Sequence, residues 1–190
     1  APRRALPSRR KGLKMSRLKY GPIDQIGFVV ENLDASVRHW TDATGLGPWT
    51  VFRNVSMESQ CYGRTGTIMI DVAMAYQDHT QIEFIELKND GPCPYRDEAG
   101  TLLVGMHHIA WLTDNLEATV DGAIKDGMKL VFRAENAATK VAYLEAPGEK
   151  GVLFEFIEGE DTRQLFIEGR AAAKTWDGSN PIHEIDFAAL

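Results

Sequence analysis

Apolar residues recur along this chain in short, near-continuous runs that come in two similar sets. Residues 23–30 (Ile-Asp-Gln-Ile-Gly-Phe-Val-Val) read as a strand buried on both faces, with Gln25 a polar intruder. Asn32 or Asp34 is placed to cap a helix whose Leu33, Val37 and Trp40 recur at i, i+4 and i+7, and Gly45 supplies its left-handed stop. After the turn Gly-Leu-Gly-Pro-Trp, strands are expected at 50–55, 67–76 and 80–87, the last two joined by a hairpin-like Gln77-Asp78-His79. Asn-Asp-Gly-Pro-Cys-Pro then breaks the pattern, and residues 95–103 form a connector. The order is repeated by a strand at 106–112, a helix capped at Asp114 or Asn115 that carries Leu116, Val120 and Ile124 to Gly127, and strands at 129–133, 140–145 and 151–157. Each half therefore reads βαβββ, which makes the chain an α+β protein.

The halves also share wording. Gln25-Ile-Gly-Phe-Val-Val-Glu-Asn-Leu-Asp and His108-Ile-Ala-Trp-Leu-Thr-Asp-Asn-Leu-Glu open 83 residues apart, and each half later holds a strand with a carboxylate at its centre, Glu83 and Glu155. Such a repeat identifies residues in equivalent places of the fold. It pairs Gln25 with His108 and Glu83 with Glu155. The expected division is a basic tail over 1–19, a repeated domain over 20–159 (modules 22–90 and 105–159), and a helical extension over 160–190 placed to cover a sheet edge or make a subunit contact.

With 190 residues, 44% apolar and 25% charged, the composition is that of a globular protein. No apolar run approaches a membrane span and no signal-peptide core is evident, so the expected location is the cytoplasm. Charge is uneven: eight of the 21 basic residues fall within the first 20 positions, where there is no Asp or Glu. That tail reads either as a targeting presequence or as sequence lying upstream of a start at Met15. The rest carries all 27 acidic residues and is a poor match for nucleic acid. Cys61 and Cys93 lack the spacing of a zinc site or a disulfide framework and are expected to be inert.

Glu83 and Glu155 lie inside the apolar runs Gln-Ile-Glu-Phe-Ile and Leu-Phe-Glu-Phe-Ile. A carboxylate buried there is costly unless it is paired, hydrogen-bonded or bound to a metal. Two such carboxylates, with an amide and an imidazole on the other equivalent strands, form a four-point cage for one divalent ion. Three oxygens and one nitrogen suit Zn, Ni, Co, Mn or Mg. Alternation sends His107 to the face opposite His108, as a packing or supporting histidine. His39, His79 and His183 read as structural, and Trp40, Trp49 and Trp111 as core aromatics. No phosphate loop, nucleophile elbow or dinucleotide fingerprint is present.

The phrases Ile-Asp-Gln-Ile-Gly-Phe-Val-Val, Gln-Ile-Glu-Phe-Ile, Met-His-His-Ile-Ala-Trp and Gly-Val-Leu-Phe-Glu-Phe-Ile, spread over residues 22–158, resemble the vicinal oxygen chelate superfamily, and within it methylmalonyl-CoA epimerases and glyoxalase I. The resemblance implies a curved, half-open, barrel-like mixed sheet with helices outside, a homodimer, and Gln25, Glu83, His108 and Glu155 as metal ligands. The order Gln, Glu, His, Glu is similar to eukaryotic-type glyoxalase I, whereas the epimerases carry His, Gln, His, Glu. Val29 and Leu87, however, stand where glyoxalase I has two glutathione contacts, and His107-His108-Ile-Ala-Trp is closer to the epimerases. Asp71 falls near the epimerases' non-ligand catalytic glutamate, which implies Asp71 and Glu155 as bases on opposite sides of a metal-held enolate; a solvated or salt-bridged strand residue is the alternative reading of Asp71.

The resulting expectation is a metal-dependent, epimerase-like isomerase acting on an acyl thioester or related carbonyl compound. A glyoxalase-type lyase acting on a hemithioacetal and a non-catalytic small-molecule binding protein are the alternatives. An extradiol dioxygenase is disfavoured because Gln25 replaces one of the two histidines of its iron site.

Overall fold

The computed structural model describes residues 18–189; the basic tail, apart from its last two residues, lies outside them. The first module consists of β1 (Gln25–Val29), α1 (Leu33–Thr44), β2 (Trp49–Cys61), β3 (Arg64–Gln77) and β4 (Thr80–Leu87). The second consists of β5 (Gly105–Leu112), α2 (Leu116–Lys125), β6 (Lys129–Glu135), β7 (Lys140–Glu145) and β8 (Leu153–Glu158). Both modules have the expected βαβββ order. The β2–β3 hairpin is longer than the residue pattern suggests, because its register continues past Val55 and Thr67, through Ser59↔Gly66, Gln60↔Thr65 and Cys61↔Arg64, to the turn at Tyr62-Gly63.

Both helix starts use an asparagine. Asn32 Oδ1 accepts from the Ala35 amide and Asn115 Oδ1 from the Ala118 amide, so each cap satisfies an otherwise free N–H of the first turn. Gly45, at φ 75°, closes α1 in the left-handed region that favours glycine. Leu33 and Val37 of α1 and Leu116 and Val120 of α2 are buried against the outer face of the sheet. Ile124, expected on the same stripe, is 45% exposed, and Ala123 takes the buried place instead.

The strand order is β3-β4-β1-β5-β8-β7-β6-β2, and β2 pairs back onto β3, so eight strands form a barrel-like ring with the helices outside. Closure between β2 and β6 spans only the four pairs from Glu58↔Glu135 to Cys61↔Phe132. The other end of the β2 edge is therefore splayed, which gives the half-open shape physical content. The C-terminal segment is helical only in its first part, α3 (Glu160–Thr175). It then adds β9 (Ile182–Asp186), which pairs in parallel with Trp49–Arg53 of β2 and covers that splayed edge. A third apolar cluster, with Phe52, Ile70, Val72 and Phe132, lies inside the ring. Among the described residues no helix is long and apolar enough to cross a membrane.

Candidate metal centre

The register of the four central strands brings the repeat-equivalent residues together. Gly27 of β1 is paired with Glu83 of β4 on one side and with His108 of β5 on the other. One step of the pleat away, Gln25 pairs with Gln81 and Ala110, and Ala110 with Glu155 of β8. Side chains two apart on a strand share a face, so Glu83, His108, Gln25 and Glu155 all project into the ring. All four are buried, at 7%, 0%, 2% and 3% exposure.

His108 is at the centre. Its Nε2 is 3.2 Å from Glu83 Oε2 and 3.1 Å from Glu155 Oε2. Its ring lies directly over Gly27, where a side-chain carbon would come within 2.0 Å of Nε2. Burial alone would lower the His108 pKa, but Glu155 and then Glu83 outweigh it and push the imidazole up to about 9. Burial raises the Glu155 carboxyl, with His108 opposing it. Glu155 and Glu83 thus favour the charged imidazole, while burial works against the charge of Glu155 itself.

His107 is not on the opposite face. The pairs Gly27↔His108 and Phe28↔Met106 skip one residue, so His107 occupies a bulge. Both imidazoles consequently pack against Tyr143, with ring centroids at 4.9 Å for His108 and 5.9 Å for His107. His107 Nε2 is 3.0 Å from the Pro94 carbonyl, and its Nδ1 is 3.0 Å from His108 Nδ1. The carbonyl can only accept, so Nε2–H of His107 donates to it and Nδ1 is left to accept from His108 Nδ1–H. That assignment points the remaining nitrogen of His108, Nε2, at the carboxylates. Burial, and next the neighbouring His108 charge, lower His107 to about 4, which keeps it a neutral acceptor.

Gln25 is oriented in the same way, through residues that sequence reasoning did not single out. Its Nε2 donates to Gln81 Oε1 at 2.6 Å, Gln81 Nε2 donates to the Tyr76 hydroxyl, and Tyr76 donates to the Leu165 carbonyl of α3 at 3.3 Å. The relay ties the amide nitrogen to Gln81 and leaves Gln25 Oε1 buried and free to accept. Gln81 carried a usable signal, since it shares a face with Glu83 and opposes Gln25 in the parallel register. Tyr76 carried none.

These residues fit a divalent cation. Gln25 Oε1 is buried without a hydrogen-bond partner, and His108 Nε2 and Glu155 Oε2, though close enough to pair by charge, make no aligned hydrogen bond. Two ligands about 2.1 Å from one ion lie roughly 3.0–3.4 Å apart, and the observed spacings of 3.1 and 3.2 Å match that edge. Among the described residues no group of three or more His, Cys, Asp or Glu is by itself arranged to hold a metal ion; the amide of Gln25 is the further donor beside His108 and the two carboxylates. Gln25, Glu83, His108 and Glu155 are the groups that would hold the ion.

Asp71 does not join them. Its neighbours Ile70 and Val72 line the interior of the ring, whereas Asp71 is held elsewhere: Oδ1 accepts from the Asn54 amide at 2.8 Å and Oδ2 is 3.3 Å from Arg53 Nη1. The cause is a bulge in β2, where the register jumps from Phe52↔Val72 to Val55↔Ile70 and Asn54 takes φ 56°. Asp71 satisfies the backbone N–H freed there. Cys61 is buried, and burial pushes its thiol up to about 11, while burial also raises Cys93. Neither is poised as a nucleophile.

A family model described as Glyoxalase/Bleomycin resistance protein/Dioxygenase superfamily matches residues 24–143, a span that holds Gln25, Glu83 and His108. The chain belongs to that superfamily, the vicinal oxygen chelate proteins. Its members typically bind a divalent metal, and most are enzymes. Among solved structures, the chain is similar to a hypothetical protein, BH1468, from Bacillus halodurans C-125, at 22% identity and a TM-score of 0.51 over 73% of this chain and 94% of that one, a likeness of fold. A methylmalonyl-CoA epimerase from Mycobacterium tuberculosis matches at 18% identity and a TM-score of 0.49, covering 75% and 91% of the two chains. A methylmalonyl-CoA epimerase in complex with methylmalonyl-CoA and NH4+ matches at 18% and 0.47, over 73% and 94%. No curated protein sequence matches significantly.

Proposed function

We propose that this protein is a metal-dependent isomerase or lyase that moves a proton next to a chelated carbonyl group, with Gln25, Glu83, His108 and Glu155 holding one divalent ion. The observation that carries the reading is the convergence of buried donor atoms: Gln25 Oε1 has no partner, and His108 Nε2 meets Glu83 and Glu155 only as an ion pair, without an aligned hydrogen bond. Leaving such atoms poorly satisfied is expensive, and an ion satisfies all of them at once. Bound there, it would act as a Lewis acid on a substrate oxygen. Glu155 is the base of the proposal. Glu83 enters from β4 and Glu155 from β8, on either side of the β1–β5 pair, so a second carboxylate is available. Asp71 therefore has no part in the proton transfer.

The position of Asp71 also gives weight to the lyase alternative, because the epimerase-like reading must then take Glu83, a proposed ligand, as its second base. A hemithioacetal lyase needs only a carboxylate at the ion, which Glu155 supplies. The test is deuterium exchange in D2O with the metal-loaded chain and a panel of acyl thioesters and hemithioacetals. Label should enter next to the carbonyl, and Glu155→Gln should slow its entry by about a hundredfold or more. Metal binding with no exchange on any of these compounds would leave a binding protein instead.

A further inference from the structure

We infer that the substrate of this site has a small, uncharged alkyl or aryl body attached to its chelating oxygens, and not an anionic one. The inference deepens the proposed function and rests on its chelating floor. Beside Gln25, Glu83 and Glu155 the half-open ring holds a cavity of about 140 Å³. That is room for a body about the size of an aromatic ring. Its wall is apolar, with Phe52, Ile70, Val72 and Phe132 from the sheet and Phe166 from α3. Among the described residues no Lys, Arg or His lines it.

The nearby cations are turned outward by strand alternation. Phe52 faces the cavity while Arg53 pairs with Asp34, Asp71 and Glu184. Phe132 does the same while Arg133 pairs with Glu117 of α2. An anionic group carried into the cavity would lose its hydration against a wall that, among the described residues, offers no cation to pair with it, an arrangement that disfavours it. Val29, at 0% exposure, adds no charge from β1. The C-terminal segment belongs to the chamber as well: Thr162, Leu165 and Phe166 of α3 and Phe187 of the terminal 3-10 turn contribute to its lining.

Two hydroxamates that share a bidentate head and a chain length separate the possibilities. Hexanohydroxamate ends in a methyl group and adipate monohydroxamate in a carboxylate. In calorimetric titrations of the zinc-loaded full chain, the methyl-ended compound should bind at least about tenfold more tightly. Equal affinities, or a preference for the carboxylate, would overturn the inference and leave chelation intact. If neither compound binds the zinc-loaded chain, the chelating reading fails on its own. The cavity is then probed in metal-free protein by ligand-observed NMR with hexanol and hexanoate. Binding of hexanol alone upholds the apolar wall, and binding of hexanoate as tightly as hexanol, or of neither, overturns it.

Discussion

The imidazole of His108 rests on the backbone of Gly27: a Cβ at Gly27 would come within 1.9 Å of His108 Cε1 and 2.0 Å of Nε2. The two residues are partners in the antiparallel β1–β5 register, so the glycine makes the space in which the proposed central ligand lies.

Gly27→Ala should therefore push the His108 ring off the cluster while leaving the strand's backbone conformation permitted. The expected outcome is loss of stoichiometric metal with a destabilisation of about 1–3 kcal/mol, the usual scale of overpacking. Elemental analysis together with thermal unfolding checks it, and an alanine variant that keeps both metal and stability would place the ring elsewhere.

The two adjacent histidines should differ in degree. His108→Ala removes a proposed ligand and should abolish stoichiometric metal. His107→Ala removes only the acceptor that fixes the ring of His108, so affinity should fall by about 10- to 100-fold with the ion still bound at saturation. Titration with a competing chelator distinguishes the outcomes, and an unchanged affinity in His107→Ala would detach His107 from the site.

Asp71→Asn should keep the ion and the rate of deuterium exchange while costing about 1–3 kcal/mol of stability, because the Arg53 ion pair and the contact with Lys88 at 3.7 Å are weakened. The Asn side-chain oxygen can still accept from the Asn54 amide. Exchange slowed by about a hundredfold would return Asp71 to the chemistry.

Much of the site was legible because its logic is periodic. The internal repeat matched Gln25 with His108 and Glu83 with Glu155, and strand parity put them on one face once the parallel pairings β1–β4 and β5–β8 formed. Parity failed where a strand gains a residue. The bulge at His107 brings two consecutive side chains against Tyr143, and the bulge at Arg53-Asn54 gives Asp71 a backbone partner outside the ring. Asp71 was also ambiguous because β3 is buried on both faces, so alternation marks no inner side. β9 was missed for a different reason: most of it is exposed, and its pairing with β2 depends on an edge left open by residues far away in sequence. The tyrosine of the Gln25 relay was out of reach of pattern, since its partner carbonyl belongs to α3, outside the repeat.

Elemental analysis of the purified chain beside His108→Ala and Glu155→Gln, with circular dichroism verifying the fold of each, tests whether Gln25, Glu83, His108 and Glu155 share one divalent ion. One equivalent of a divalent metal in the parent chain and less than about a tenth in His108→Ala is the predicted result. A parent chain that takes up no divalent ion from an excess of Zn, Ni, Co, Mn or Mg, or a His108→Ala chain that keeps a full equivalent, would contradict it.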